Sequence, residues 1–144
     1  IIDGGLGAFR EQSMASLKDL LPVEFQGNEE PTLVTPFHAQ LTEAGRSQST
    51  FILQDALGQV DSSFDWSSLP AIYIQANAKP KPAATTLLTG RQSQGGEELP
   101  IFVEMRVGGG FVFYSASDQT WKWRYRKADI VHRRIWMQIC RAYA

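Results

Sequence analysis

Two apolar runs joined by three glycines constrain the fold of this chain more than any other feature. Ile101–Val107 and Phe111–Ser115 both have the composition of strands, and Gly108-Gly109-Gly110 separates them. Glycine adopts the backbone angles that tight turns require, so the arrangement predicts a β-hairpin. Both of its strands are expected to be half or fully buried.

The residues after this hairpin predict a closing helix from about Ala128 to Tyr143. Its apolar residues fall on one stripe at helical spacing, namely Val131, Ile135, Ile139 and Ala142. Cys140, the only cysteine, lies within this apolar pattern, and we expect it to be packed and unreactive.

Turns and prolines divide the rest of the chain into short elements. We expect a buried strand end at Ile1-Ile2, a helix from about Ser13 to Leu20, and strands at Val23–Phe25, Ala71–Gln75 and Ala83–Thr89. Pro36 interrupts Leu33–Leu41, which predicts irregular edge structure rather than a central strand. Thr42–Gly45 indicates a turn.

Length and charge limit the classes of protein. With 144 residues, of which 43% are apolar, the chain is expected to form a single domain over residues 1–144. The net charge is −1, yet seven basic residues and one acidic residue follow position 121. Nucleic acid or anionic lipid could meet such a face, but a solvated helix face is the favoured interpretation. No apolar run is long enough to span a membrane, and there is no signal-peptide pattern.

Four segments are informative through their order along the chain. They are Ile1–Phe9, Leu17–Val23, Leu41–Gly45 and Val107–Trp123, the last leading into a helix that contains Arg134-Ile135-Trp136. This order resembles the class I glutamine amidotransferase-like domains of large bacterial proteins that also carry von Willebrand factor A-type domains and membrane helices.

The resemblance implies an α/β, flavodoxin-like fold, with a mainly parallel sheet and helices on both faces. The chain would then lack the first strand–helix units of that fold, as a piece of a longer polypeptide that is incomplete at its N-terminal side. A C-terminal β-hairpin and closing helix would complete it. An unpaired sheet edge would remain, through which a homodimer could form.

Catalysis in this family would need a cysteine at the sharp turn after a strand and a histidine as its base. The turn here is Asp3–Gly7, which contains no Cys, Ser or Thr, and Ser117-Asp118-Gln119 stands where the histidine is expected. Gly4 and Gly5 at the turn are candidate binding residues, as are Asp118 and Trp121. Asp118 with the tryptophans could bind a cation, a sugar or a peptide, although a cap of the following turn is favoured.

Other kinds of site have less support in the sequence. His38 and His132 have no ligands at metal-binding spacing, so we expect neither a metal nor a cofactor. The glycine clusters fit neither a dinucleotide fingerprint nor a phosphate loop. The block Trp121–Lys127 interleaves aromatic and basic residues, but the resemblance favours one tryptophan packed in the core over a nucleic-acid surface.

These observations favour a non-catalytic interaction or ligand-sensing domain, and the resemblance implies that it belongs to a larger bacterial protein anchored in the membrane. Its partners would be another protein or other domains of the parent chain, without membrane contact by this region itself. The alternative is a hydrolase or amidotransferase relative whose site is completed by residues outside this chain, or by Asp118 with a neighbour.

Overall fold

A computed structural model describes residues 1–2, 15–26, 33–53, 64–92, 98–125 and 129–144. Its strands are β1 (Val23–Phe25), β2 (Leu33–Leu41), β3 (Ile72–Ile74), β4 (Ala78–Pro80), β5 (Ala84–Gln92), β6 (Leu99–Val107) and β7 (Gly110–Ser115). Its α-helices are α1 (Ala15–Lys18), α2 (Glu43–Ser47) and α3 (Asp129–Tyr143). Short 3₁₀ helices cover Ser49–Phe51, Trp66–Ser68 and Gln119–Arg124.

The strands form two antiparallel sheets. The larger sheet has five strands in the order β3-β2-β5-β6-β7, and the smaller pairs β1 with β4. The prediction of a flavodoxin-like α/β fold with a mainly parallel sheet and helices on both faces is therefore wrong. Parallel neighbours need crossover connections of about a dozen or more residues, usually helical. The two helices described before the last strand, α1 and α2, have only 4 and 5 residues.

The hairpin predicted from the triple glycine is confirmed. β6 and β7 pair from Phe102↔Ser115 to Val107↔Gly110. Gly108 adopts a φ of +59°, the left-handed conformation that glycine tolerates best. The turn therefore depends on one of the three glycines for its conformation.

Pro36 does not keep β2 at the edge of the sheet, as the sequence suggested. β2 is a nine-residue strand between β3 and β5. Its register against β3 shifts between Leu33↔Ile74 and Phe37↔Ile72, and its pairing with β5 begins only at Phe37. Pro36 falls in the irregular stretch, where a missing N–H donor does not interrupt a regular ladder.

The sheet curls, and its two outer strands approach each other at one end. The Ala76 N–H, just after β3, donates to the Ala116 carbonyl just after β7, at 2.7 Å. The Ser117 hydroxyl adds a 2.6 Å hydrogen bond to the Ile74 carbonyl. Backbone groups that would otherwise be exposed at the edge of β3 are thus paired within the chain.

The outer edge of β7 is partly covered by the first residues of the chain. The Ile1 ammonium donates to the Phe113 carbonyl at 2.9 Å, and the Ser115 N–H donates to the Ile1 carbonyl at 2.8 Å. Ile2 forms a parallel β-bridge with Ser115, but Ile1 and Ile2 are 43% and 51% exposed, so the predicted burial of this strand end is wrong. The homodimer predicted through an unpaired edge stays a prediction.

Alternation along β6 and β7 supplies two apolar cores. Phe102 and Phe113 face the larger core, which contains Trp123 and the buried side of α3. Val103 and Tyr114 face the smaller core beneath β1 and β4. A period of two places neighbouring residues on opposite faces, so these two strands connect both cores.

The closing helix is confirmed over Asp129–Tyr143. Ile135 and Ile139 are buried and Val131 packs against the larger core, as the stripe predicted. Ala142 is exposed instead, and so is Cys140, against the expectation that it is packed. None of the helices in the described part of the chain has the length and apolarity needed to cross a membrane.

Candidate functional site

An aromatic groove opens between the 3₁₀ helix Gln119–Arg124, the segment before β3 and β2. The groove has a volume of about 870 Å³. The lining residues that matter for its chemistry are His38, Phe64, Tyr73, Trp121, Lys122 and Tyr125. We call this site the aromatic groove.

The 3₁₀ geometry explains why neighbouring aromatic residues point in opposite directions. Such a helix has about three residues per turn, so side chains three apart lie on one side. Thr120 and Trp123 are both buried, at 3% and 0% exposure. Trp121, displaced from them by one or two positions, is 47% exposed and lines the groove. The expectation that one tryptophan packs in the core is confirmed.

The floor of the groove is held by two hydrogen bonds from the core side. The Trp123 indole N–H donates to the Pro70 carbonyl at 3.1 Å. His38 Nδ1 lies 3.3 Å from the Leu69 carbonyl oxygen. Since a carbonyl can only accept, Nδ1 is the donor in this contact. Residues 69 and 70 are therefore fixed relative to β2 and the buried tryptophan.

Gln119 connects the two walls of the groove. Its side-chain oxygen accepts from the Tyr73 backbone N–H at 2.8 Å and from Lys122 Nζ at 3.0 Å. Lys122 Nζ also lies 4.4 Å from the centroid of the Tyr73 ring and 6.0 Å from that of Trp121. These are distances at which an ammonium is attracted by an aromatic face. The cation therefore has a defined position between two aromatic side chains.

A second, more polar depression adjoins the first. It has a volume of about 470 Å³ and is lined by Trp121, Arg124, Tyr125 and Asp129. The Trp121 and Tyr125 rings contact edge to face, 5.8 Å apart, and separate it from the groove. Arg124 Nε lies 3.6 Å from the Asp129 carboxylate, with both side chains well exposed. On the adjacent turn, burial and then the charge of Arg124 lower the pKa of His132, against the opposing effect of Asp129.

The candidate binding residues predicted from the sequence do not all lie in the aromatic groove. Trp121 lines the aromatic groove. Asp118 is exposed and is not among the groove's lining residues, so the two do not share one site. Gly4 and Gly5 lie outside the described residues.

The predicted capping role of Asp118 is also wrong. Asp118 precedes the 3₁₀ helix, but its side chain makes no capping hydrogen bond. The Ser117 hydroxyl accepts from the Gln119 N–H instead, at 3.1 Å.

Comparison with known proteins does not assign the chain to a family. No protein-family model matches the chain, and no curated protein is significantly similar to it. The amidotransferase-like resemblance therefore stays a prediction, and the fold that it implied is not the one observed.

The groove also contains a serine and a histidine, which could suggest nucleophilic catalysis. A nucleophile and its base must lie within hydrogen-bonding reach of each other. The Ser68 hydroxyl instead donates to the Asp65 carbonyl at 2.6 Å, and no hydrogen bond joins it to His38. Within the described residues there is also no group of three His, Cys, Asp or Glu side chains that could hold a metal ion.

Sequence reasoning missed Tyr73 and His38 as parts of the site. Tyr73 lies between two isoleucines in β3, and alternation turns it away from the face on which Ile72 is fully buried. An aromatic residue at the exposed position of a short strand was the available signal. His38 could not be placed, because β2 was expected to be irregular.

Proposed function

We propose that this chain is a non-catalytic binding module and that the aromatic groove is its ligand site. The observation that supports the proposal is the exposure of three neighbouring aromatic side chains. Tyr73, Trp121 and Tyr125 are 45%, 47% and 62% exposed around one concavity. Contiguous exposed apolar surface, with a few placed polar groups, is typical of binding sites.

The rigidity of the surroundings supports the same proposal. The residues beside and beneath the aromatic groove are tied by hydrogen bonds from Trp123, His38 and Gln119. A preformed site loses less conformational freedom when a ligand binds, so more of the contact energy appears as affinity.

Saturation-transfer-difference NMR with a panel of small probes tests this proposal. Indole-3-acetate, triproline, maltotriose and chitotriose would be presented separately at millimolar concentration. At least one probe is expected to receive saturation from the wild-type protein and to lose it with Trp121→Ala. The probe's own spectrum should stay unchanged over hours, because the module binds without turnover.

Phe111→Ala provides the matched control. Phe111 is 56% exposed but lies at the start of β7, outside the groove's lining. Saturation should persist in this variant. Equal signals from Trp121→Ala and the wild type, no saturation of any probe, or chemical conversion of a probe would each refute the proposal.

A further inference from the structure

The described residues of the aromatic groove offer few hydrogen-bonding groups, of which the Lys122 ammonium and the Trp121 indole N–H can only donate. The hydroxyls of Tyr73 and Tyr125 and the indole N–H of Trp121 make no hydrogen bond within the described part of the chain. Ser68 is already paired with a backbone carbonyl. A sugar presents many hydroxyls that act as both donors and acceptors. The described lining of the groove has few groups that could form hydrogen bonds with them. A ligand with apolar rings and repeated carbonyl acceptors fits better.

The spacing of the aromatic rings suits an extended chain. The rings of Tyr73 and Trp121 lie no more than about 10 Å apart, since Lys122 Nζ is 4.4 Å from one centroid and 6.0 Å from the other. One turn of polyproline II advances about 9 Å, at three residues of about 3.1 Å each. This upper limit on the ring separation is compatible with residues one turn apart resting on the two rings. That conformation has no internal hydrogen bonds, so its carbonyls are available to outside donors.

The charges around the groove favour an acidic ligand. Among the described residues, Lys122 is the only formally charged one that lines it, and none of the described carboxylates does. Beyond the wall of Trp121 and Tyr125, Arg124 is held by Asp129 in an exposed ion pair. Exposed pairs of this kind contribute little stability, so Arg124 can exchange its partner for a ligand carboxylate. A cation entering the groove would instead be repelled by Lys122.

From these observations we propose that the aromatic groove binds a proline-rich, extended segment of a partner protein that carries acidic residues beside its prolines. The prolines would pack on Tyr73 and Trp121, as aromatic-lined grooves bind polyproline II segments. The carboxylates would lie near Lys122 or Arg124. This inference rests on the proposed function, because it specifies the ligand of the same site.

Fluorescence anisotropy with three labelled peptides tests the proposal. The peptides are pentaproline followed by two aspartates, pentaproline followed by two lysines, and a glycine–serine pentapeptide followed by two aspartates. The first should bind at least tenfold more tightly than either of the others. Trp121→Ala should weaken it at least tenfold, while Phe111→Ala leaves its affinity within twofold of the wild type.

A charge variant tests the acidic preference separately. Lys122→Gln should reduce the preference for aspartate over lysine at least threefold, and Lys79→Gln, at an exposed position on β4, should not. Equal binding of all three peptides would overturn the proposal. If no peptide binds but a saccharide or indole probe is still saturated through Trp121, the ligand class is wrong and the binding module stands. If no probe reaches Trp121, both proposals fail.

Discussion

The pair Trp121 and Trp123 offers a quantitative test of how the groove is built, because the two side chains have opposite environments. Trp123 is fully buried, packs edge to face on Phe102 at 6.2 Å, and donates to the Pro70 carbonyl at 3.1 Å. Trp123→Phe keeps one aromatic ring but removes the N–H and part of the volume. Trp121→Phe makes the same chemical change at an exposed position.

The expected cost of Trp123→Phe has two parts. An orphaned carbonyl costs about 1–3 kcal/mol, in the lower half here because this contact is only part-buried. The void left by the smaller ring adds roughly 1 kcal/mol. The free energy of unfolding should therefore fall by about 2–3 kcal/mol, whereas Trp121→Phe should change it by less than about 0.5 kcal/mol.

Urea unfolding followed by circular dichroism measures both changes without relying on tryptophan fluorescence. With a urea dependence of about 2 kcal/mol/M, the midpoint for Trp123→Phe should fall by about 1–1.5 M. The midpoint for Trp121→Phe should be unchanged. Equal losses in the two variants, or no loss in Trp123→Phe, would refute the assignment of Trp123 as the residue that fixes the floor of the groove.

Two further predictions concern the sheet and the closing helix. A Cβ on Gly90 would lie 2.1 Å from the Phe37 ring, so Gly90→Ala should destabilise by about 1–3 kcal/mol in thermal unfolding. Gly109→Ala, where no atom lies within 4 Å, should stay close to wild type, and similar losses in both variants would contradict the packing. Burial and the hydrogen bond to Glu104 raise the pKa of Tyr143 above its ordinary value of 10, so the stability it contributes is complete below pH 10 and declines above it. In an absorbance titration, the late tyrosine step of the wild type should be smaller by one tyrosine in Tyr143→Phe; equal late amplitudes in the two proteins would refute the assignment.

Local features of the fold were predictable where sequence pattern and local physics agree. The triple glycine identified the hairpin, and the i, i+4 stripe identified the closing helix with Ile135 and Ile139 buried. Aspartate is a favoured N-cap residue, and the Asp65 carboxylate accepts from the Ser67 N–H at 2.9 Å at the start of the 3₁₀ helix Trp66–Ser68. Hydrogen bonds from Ser67 also lower the pKa of Asp65.

Strand pairing was not predictable in the same way. The order of segments matched a parallel fold, but pairing direction depends on the connections, and α1 and α2 are too short to cross over a sheet. The prediction that Pro36 places β2 at an edge was wrong for a related reason. The missing N–H of Pro36 coincides with a register shift, which depends on the partner strand and cannot be read from β2 alone. The sequence could not show that Ser117 rather than Asp118 accepts from the Gln119 N–H, because both adjacent side chains carry an oxygen that can do so.

The most direct test of the binding site is a two-dimensional NMR spectrum of the four indole N–H groups during titration with the pentaproline–diaspartate peptide. Trp121 lines the groove, whereas Trp66 and Trp123 are buried at 8% and 0% exposure. The Trp121 cross-peak should shift progressively to saturation, while the Trp66 cross-peak stays in place. A titration that shifts Trp66 or Trp136 and leaves Trp121 unmoved would contradict the assignment of the aromatic groove as the ligand site.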